Sequence, residues 1–387
     1  MKIGILTQPL LNNYGGLLQA HAMQQVLKSM GHEVWIINRI HGKEKPIRRI
    51  ARVAKFFIYR FLLMKKGFPS PLKKTIKITE EEKNIISKNT SKFLKSYIQP
   101  ITPPISTDKK LKRISKQGYN AFVVGSDQVW RLDYSPKITS YFLDFVQKRH
   151  NIKRVSYAAS FGLSDWHYSK KLTKECRKLA QKFDAISVRE KSAVALCRDY
   201  LNVSALHLVD PTMLLSSNHY RDLTVKEQES ESAGELMVYI LDSSSFKEEL
   251  IDACSKKLNM KPFSVNAEKK PTPENRKNIE DCIYPPVTSW LKGFVDAKFV
   301  ITDSFHGCVF SILFNIPFIA IGNSKRGLAR FESLLNMFNL ENRLMQTEEH
   351  VDYGILNERI DWEGVNEKLN LERKKSTDFL NANLTIH

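Results

Sequence analysis

Short runs of β-branched and aromatic residues recur along the amino-terminal half of the chain, and each ends in polar or turn residues. Such runs are typical of strands, and the segments between several of them carry apolar residues at helical spacing. The strands are predicted at residues 2–7, 33–37, 121–124, 155–160, 185–188 and 206–209, and a helix at about 17–30. Because the polar strand ends recur in the same way, the pattern favours one parallel α/β sheet with its loops at one edge.

A charged, serine-rich segment at 225–235, VKEQESESAGE, interrupts this pattern and is predicted to be a linker. A second series follows, with strands at 236–241, 299–302 and 317–321, helices at 246–258, 290–297 and 305–314, and a loop at 271–278. The residues after about 352 are polar with a helical pattern, and we expect them to fold back on the first series. The chain is therefore predicted to form two Rossmann-like α/β domains, 1–224 and 236–350, followed by a helical tail at 351–387.

The length and the cysteine positions agree with a two-domain intracellular protein. A chain of 387 residues suits two domains at roughly 100–200 residues per domain. The five cysteines show neither CxxC nor metal-ligand spacing, which favours a reducing compartment and predicts no metal site. Polar residues interrupt the amino terminus too early for a signal peptide, and no apolar run approaches the roughly 20 residues of a membrane span. We therefore expect a cytoplasmic protein.

The positive charge is concentrated in one segment, 43–77, and this changes the picture of possible partners. The formal net charge is +19, and within this segment the Lys and Arg residues are opposed only by Glu44. Apolar residues at helical spacing make the segment a predicted cationic amphipathic helix. Its apolar stripe could pack on its own domain, or it could bind the anionic inner face of the membrane. No nucleic-acid-binding motif accompanies the charge, so nucleic acid is the less favoured partner.

The segment FVITDSFHGCVFSILFNIPFIAIG at 299–322 is predicted to be a strand, a helix and a second strand, with His306 in the first turn of the helix. Ligands of open α/β sheets bind at the carboxyl ends of strands, and Asp303 or Ser304 could cap a helix that attracts an anion. A histidine in this position can trade protons near neutral pH. The alternative is a histidine packed beside Phe305 and Phe310 with both nitrogens bonded to the backbone. Cys308 is predicted to be a buried core residue.

Other strand-end loops supply further candidate ligand contacts. The loop after the first strand offers Asn13, Tyr14, Gly15 and Gly16, whose glycines would let backbone approach a ligand, although an ordinary strand-to-helix turn explains them equally well. Ser126 and Asp127 could contact a sugar or a phosphate, or form a capping turn. Arg189 is a candidate anion clamp, and the alternative is a surface ion pair with Glu190 or Asp184.

In these segments the chain resembles the polysaccharide pyruvyl transferase family. The similarity runs through LTQPLLNNYGGLLQAHAM, FVVGSDQVWR, VSYAASFG, ISVREKSAV and WLKGFVDAKFVITDSFHGCVFSILFNIPFIAIG. The resemblance implies two Rossmann-like domains facing a cleft, as in the glycosyltransferase-B arrangement. It also implies transfer of the pyruvyl group of phosphoenolpyruvate onto sugar hydroxyls in exopolysaccharide biosynthesis, without a required metal or cofactor. The acceptor would be a cell-surface glycan or its lipid-linked precursor, and the protein would be cytoplasmic, with the membrane's inner face as a candidate docking surface.

The resemblance implies that His306 is the acid or base, and we add Asp303 as its orienting carboxylate. Many family members have Arg-Leu-His where this chain has Ser304, Phe305 and His306, so the donor-binding arginine is missing here. Lys325, Arg326 or Arg330 could replace it. Two alternatives stay open: a glycosyltransferase that uses nucleotide sugars, and a non-catalytic glycan- or membrane-binding relative.

Overall fold

The computed structural model describes residues 1–42, 78–146, 152–272, 274–322, 327–345 and 353–385. The first domain contains a six-stranded parallel sheet in the order β2-β1-β3-β4-β5-β6. Its strands are β1 (Lys2–Leu6), β2 (Glu33–Ile36), β3 (Ala121–Val124), β4 (Lys153–Ala159), β5 (Ala185–Val188) and β6 (Leu206–His207). Three of these strands are buried along almost their whole length, as parallel strands covered on both faces require.

Helices alternate with these strands along the first part of the chain. They are α1 (Tyr14–Ser29), α2 (Glu80–Ile86), α3 (Lys88–Tyr97), α4 (Asp108–Ile114), α5 (Lys170–Ala180), α6 (Lys191–Leu196) and α7 (Ser217–Lys226). Short 3₁₀ helices at Ile138–Phe142 and Pro211–Leu214 and a π-helical turn at Cys197–Leu201 complete this part. Helix α1 begins three residues before its predicted start, because the side chain of Asn13 accepts a hydrogen bond from the Gly16 amide and caps the helix there.

The second domain contains a five-stranded parallel sheet in the order β11-β10-β9-β7-β8. Its strands are β7 (Leu236–Tyr239), β8 (Pro262–Phe263), β9 (Phe299–Thr302), β10 (Phe318–Ile321) and β11 (Leu344–Met345). Its helices are α8 (Ser245–Leu258), α9 (Val287–Asp296), α10 (Phe305–Leu313) and α11 (Ala329–Met337), with 3₁₀ turns at Glu274–Cys282, Glu341–Arg343 and Tyr353–Leu356. The predicted loop at 271–278 is wrong in part, because its second half belongs to the first of these 3₁₀ turns. The predicted fold class, α/β with two parallel sheets, is confirmed.

The amino end of α1 joins the two domains. The ring of Tyr14 stacks on that of Trp290 in α9, with centroids 5.6 Å apart, and the Tyr14 hydroxyl donates a hydrogen bond to the carbonyl of Pro285 at 3.0 Å. Tyr14 and Trp290 belong to a single apolar core that also contains Phe310 of α10. This packing brings the loop after β1 against the turn between β9 and α10.

The last helix, α12 (Trp362–Asn383), returns to the first domain. The Arg373 side chain donates hydrogen bonds to the carbonyls of Met213 and Leu215, and the Phe379 ring lies 6.4 Å from that of Tyr157 in β4. The chain therefore crosses between the domains twice. The basic segment 43–77 lies outside the described residues, and no helix in the described ranges is long and apolar enough to cross a membrane.

Candidate active site

A cleft of about 1020 Å³ separates the strand ends of the two sheets. The loops after β1 and β3 form one wall, and those after β7, β8 and β9 form the other. The first-domain wall consists of Leu11, Asn12, Asn13, Tyr14, Asp127, Gln128 and Tyr134, and the second-domain wall includes Tyr239, Lys247, Lys269, Lys270, Asp303, Ser304, Phe305, His306 and Arg330. The structure therefore gathers most of the strand-end candidates at one cavity, as the carboxyl ends of parallel strands would.

His306 lies in the first turn of α10 and lines the cleft, with only 6% of its surface exposed. The backbone of Gly15 packs directly against the imidazole, since a Cβ added to Gly15 would lie 2.0 Å from Nδ1 of His306. Among the described residues, Nε2 of His306 has no hydrogen-bond partner. The alternative structural role requires this nitrogen to be hydrogen-bonded to the backbone. In the described structure it is not.

The carboxylate beside His306 is Asp210, which follows β6. Its Oδ2 lies 3.7 Å from Nε2 of His306, too far for a hydrogen bond but close enough for a charge interaction when the imidazole is protonated. The same oxygen accepts hydrogen bonds from Nη1 of Arg189 at 2.8 Å and Oγ of Ser126 at 3.0 Å. Burial alone would raise the pKa of Asp210, but His306 and Arg189 outweigh it and hold this pKa well below its usual range. Asp210 is therefore a buried anion at the back of the cleft.

Asp303, the predicted orienting carboxylate, has different partners. Its Oδ2 pairs with Nζ of Lys247 at 2.6 Å, and its two oxygens accept hydrogen bonds from the amides of Leu241 and Asp242. The carboxylate is therefore directed towards the loop after β7 and towards α8. The orienting role predicted for Asp303 is wrong, since its carboxylate binds these other groups, and the carboxylate beside Nε2 of His306 is that of Asp210. Ser304 is the residue before the helix, as predicted, but neither its side chain nor that of Asp303 caps α10.

Arg189 is buried behind the cleft, so the alternative of a surface ion pair with Glu190 or Asp184 is wrong. In addition to Asp210, it faces Asp127, with Nη2 and Oδ1 3.5 Å apart, and its guanidinium carbon lies 4.3 Å from the centre of the Phe305 ring. Burial lowers the pKa of Arg189, but Asp210, Asp127 and Glu190 reverse this and raise it overall. Arg189 therefore stays positively charged behind the Phe305 ring.

Arg330 lies in α11 and lines the cleft. Its guanidinium carbon lies 5.7 Å from the Phe305 ring, and burial together with the nearby charge of Arg189 lowers the pKa of Arg330 to about 10. The guanidinium groups of Arg189 and Arg330 therefore both lie near the Phe305 ring. Of the three cations predicted to replace the missing arginine, Lys325 and Arg326 lie outside the described residues, so Arg330 is the one whose position is known.

The remaining candidates divide into cleft-lining and supporting residues. Asn13, Tyr14, Asp127 and Ser304 line the cleft, although Tyr14 is almost fully buried between the domains. Gly16 lies in the first turn of α1 against the Asn13 side chain. Ser126 is fully buried and holds Asp210, so its predicted direct contact with a sugar or phosphate is wrong.

Two findings bear on other chemistry at this site. Cys308 is fully buried and burial raises the pKa of its thiol, as expected of a core residue rather than a nucleophile. Within the ranges that the structure describes, no group of three or more His, Cys, Asp or Glu side chains is arranged to hold a metal ion.

Sequence reasoning missed Asp210 as a site residue. The available signal was its place directly after a predicted strand, in the pair Asp210-Pro211, at the same sheet edge as Asp127 and Arg189. Its proximity to His306 depends on how the second domain docks on the first, which no local pattern reports.

Comparison with known proteins gives one family and a set of distant folds. The sequence profile described as polysaccharide pyruvyl transferase matches residues 13–325. No curated protein sequence matches the chain.

Solved structures that resemble the fold include UDP-GlcNAc 2-epimerase from Neisseria meningitidis, with 10% identity, 99% of both chains covered and a TM-score of 0.46. A glycosyltransferase from Rickettsia africae covers 100% of this chain and 99% of its own at 12% identity and a TM-score of 0.45. MurG from Acinetobacter baumannii covers 98% and 97% at 10% identity and a TM-score of 0.45. Likeness at this distance carries no inference about activity.

Proposed function

Because the chain belongs to the polysaccharide pyruvyl transferase family, we propose that it transfers the pyruvyl group of phosphoenolpyruvate onto a glycan or its lipid-linked precursor, forming a cyclic ketal. The observation that carries the proposal is the pairing of His306 with the buried carboxylate of Asp210 at the cleft, beside two arginines.

The cations suit an anionic donor. Phosphoenolpyruvate carries a carboxylate and a phosphate, and guanidinium groups bind both with paired hydrogen bonds. Arg330 lines the cleft, whereas Arg189 lies behind it and already binds Asp210. We therefore assign Arg330 to the donor and give Arg189 the role of holding Asp210. Arg330 would then bind the donor in place of the arginine that many family members have where this chain has Ser304.

His306 is assigned to proton transfer, with Asp210 on the Nε2 side of its imidazole. As an imidazolium it would donate a proton to the methylene carbon of the enol, leaving the adjacent carbon cationic. A sugar hydroxyl would attack that carbon and lose its proton to the imidazole. Phosphate would leave, and a second hydroxyl would close the ketal, with its proton departing on phosphate. The carboxylate of Asp210 would face the imidazolium from 3.7 Å.

The test is release of inorganic phosphate from phosphoenolpyruvate in the presence of glycan acceptors. His306→Ala should lower the transfer rate at least about 100-fold, the usual contribution of a general acid–base group. His167→Ala is the matched control, because His167 is exposed and lies outside the cleft. A His306→Ala rate within about tenfold of the unchanged protein would contradict the role of His306.

The donor screen also separates the alternatives. Release of a nucleoside diphosphate from a nucleotide sugar, with no use of phosphoenolpyruvate, would contradict pyruvyl transfer and support glycosyl transfer. Saturable glycan binding without turnover of any donor would support the non-catalytic alternative.

A further inference from the structure

The two walls of the cleft differ in charge. The second-domain wall carries four cations, Lys247, Lys269, Lys270 and Arg330, and three carboxylates, Glu248, Glu268 and Asp303. Lys247 pairs with Asp303, and Lys269 pairs with Asp281. On the first-domain wall, the described lining residues include no lysine or arginine; they offer two asparagines, a glutamine, one carboxylate and the side chains of Leu11, Tyr14 and Tyr134. An anionic donor would be favoured near the second domain, whereas the first-domain wall suits a neutral ligand that is rich in hydroxyl groups.

Tyr134 is the exposed aromatic residue on that first-domain wall. Its exposed fraction is 39%, and Leu11 on the same wall is 64% exposed, whereas Tyr14 is 1% exposed. The guanidinium carbon of Arg131 lies 4.3 Å from the centre of the Tyr134 ring and therefore covers one of its faces. A ligand in the cleft would therefore stack on the opposite face.

The segment that carries Tyr134 is held in place by its neighbours. Nε2 of Gln8 donates hydrogen bonds to the carbonyl of Gln128 at 2.6 Å and to Oγ of Ser135 at 2.9 Å. Arg131 in turn donates to Oε1 of Gln128 at 2.8 Å. A ring fixed in this way loses little freedom when a ligand stacks on it, which favours binding.

Polar groups lie on the same wall as the ring. Oδ1 of Asn12 accepts a hydrogen bond from Thr90, and Oδ1 of Asn13 accepts one from Gly16. The bonds these asparagines make in the described structure use their oxygens, so their NH₂ groups are donors that remain for hydroxyl groups. A flat apolar face with amide donors beside it matches a pyranose ring, which has apolar C–H faces and hydroxyls around its edge.

We propose that the first-domain wall is the acceptor subsite and that a neutral sugar ring of the glycan stacks on Tyr134. The donor would then lie against Arg330, with His306 between the two substrates. This inference rests on the proposed function, because only pyruvyl transfer makes the bound sugar an acceptor. Binding of a sugar at Tyr134 can nevertheless be tested without any donor.

The test is saturation-transfer NMR and steady-state kinetics with a panel of neutral disaccharides: lactose, cellobiose and N,N′-diacetylchitobiose. Tyr134→Ala should weaken binding of the disaccharides that the unchanged protein binds by about tenfold, the factor that a stacking contact typically supplies. Tyr134→Phe should preserve binding, because it keeps the ring. In kinetics Tyr134→Ala should raise the acceptor KM and leave the phosphoenolpyruvate KM unchanged.

Tyr200→Ala is the matched control. Tyr200 is also 39% exposed and also has a stacked neighbour, with its ring 4.6 Å from that of Trp166, but it lies outside the cleft. Equal binding by Tyr134→Ala and Tyr200→Ala, or no binding of any panel member by the unchanged protein, would overturn the subsite.

The two proposals fail in different ways. If disaccharide binding depends on Tyr134 but phosphoenolpyruvate is never consumed, the subsite stands and pyruvyl transfer fails. If pyruvyl transfer proceeds with the same acceptor KM in Tyr134→Ala, the subsite alone is wrong.

Discussion

At the scale of single residues, the site depends on a contact between two distant parts of the sequence. The imidazole of His306 lies against the backbone of Gly15, and any side chain at that position would occupy the same space. The contact with His306, and not the local turn, therefore requires glycine at position 15. The adjacent Gly16 is less constrained, since a Cβ there would lie 3.3 Å from Cγ of Asn13.

Gly15→Ala should displace the His306 ring and lower the transfer rate about 100-fold, the loss that a misplacement of about 1 Å can cause. Gly16→Ala is the matched control in the same helical turn, and its rate should remain close to that of the unchanged protein. The measurement is phosphate release from phosphoenolpyruvate, with circular dichroism to confirm that both variants fold. Equal rates for the two variants would show that the Gly15 contact does not position His306.

The sequence predicted individual site residues where they follow the end of a predicted strand. His306, Asp127 and Arg189 were found because each follows a short apolar strand. Their partners were not found in the same way, and the carboxylate chosen for His306 was its near neighbour Asp303 rather than Asp210. Local spacing reports which side chains reach the sheet edge, but the pairing of charges across the cleft is set by the docking of the domains.

At the scale of elements, strand bounds were predicted correctly where nearly every residue of the strand is buried. The strands Ala121–Val124, Ala185–Val188 and Phe299–Thr302 have the predicted bounds, because each is a short, mostly apolar run that its neighbours cover. The strand predicted at 206–209 keeps only two residues, since β6 is an edge strand that pairs with β5 through Leu206 and His207 alone. The length of an edge strand depends on how far it pairs with its neighbour. The apolar pattern of one segment does not reveal this.

The ion pair of Lys247 and Asp303 connects two elements, the start of α8 and the end of β9. The Asp303 side chain is fully buried, and the Lys247 side chain is 10% exposed. Lys247→Met should lower the free energy of unfolding by about 3–5 kcal/mol, because it leaves a buried carboxylate without its counter-charge. Equilibrium unfolding in urea measures the loss.

The double variant Lys247→Met with Asp303→Asn is the control for this pair. It removes both charges, so it should be more stable than the sum of the two single losses predicts, with a coupling energy of about 0.5–3 kcal/mol. Additive losses would mean that the two side chains do not stabilise each other, and the turn that carries Ser304 would then have to be held by the backbone bonds to Asp303 alone.

At the scale of the whole molecule, stability depends on histidines that are buried without charge. Burial, with smaller contributions from His219 and Lys28, outweighs the hydrogen bond to the Tyr97 carbonyl and lowers the pKa of His21 to about 4. Nδ1 of His21 lies 3.0 Å from the carbonyl of Tyr97 and must donate to it, so Nε2 accepts from Nε2 of His219 at 2.9 Å. Burial also lowers the pKa of His207 to about 4. Both side chains are therefore neutral in the folded protein at neutral pH.

The sign of the resulting pH dependence follows from these two pKa values. An unfolded histidine has a pKa of about 6.5, so between pH 6.5 and 4 the unfolded chain binds protons that folded His21 and His207 do not. Their contribution is fully present above about pH 6.5 and is lost as the pH falls towards 4. At pH 5 the loss is about 2 kcal/mol for each histidine, at 1.36 kcal/mol per pKa unit. The folded protein should thus lose stability on mild acidification, before most carboxylates titrate.

Urea unfolding at pH 7 and pH 5 measures this dependence, and the His21→Gln variant assigns it. Glutamine does not titrate, so the variant should lose about 2 kcal/mol less stability between the two pH values than the unchanged protein does. The comparison between variants also cancels groups such as Glu190, whose pKa is raised by burial and which acts in the opposite direction. His167→Gln is the exposed control and should behave as the unchanged protein. An identical pH dependence in His21→Gln would mean that the contact with His219 opens and admits a proton without unfolding the molecule.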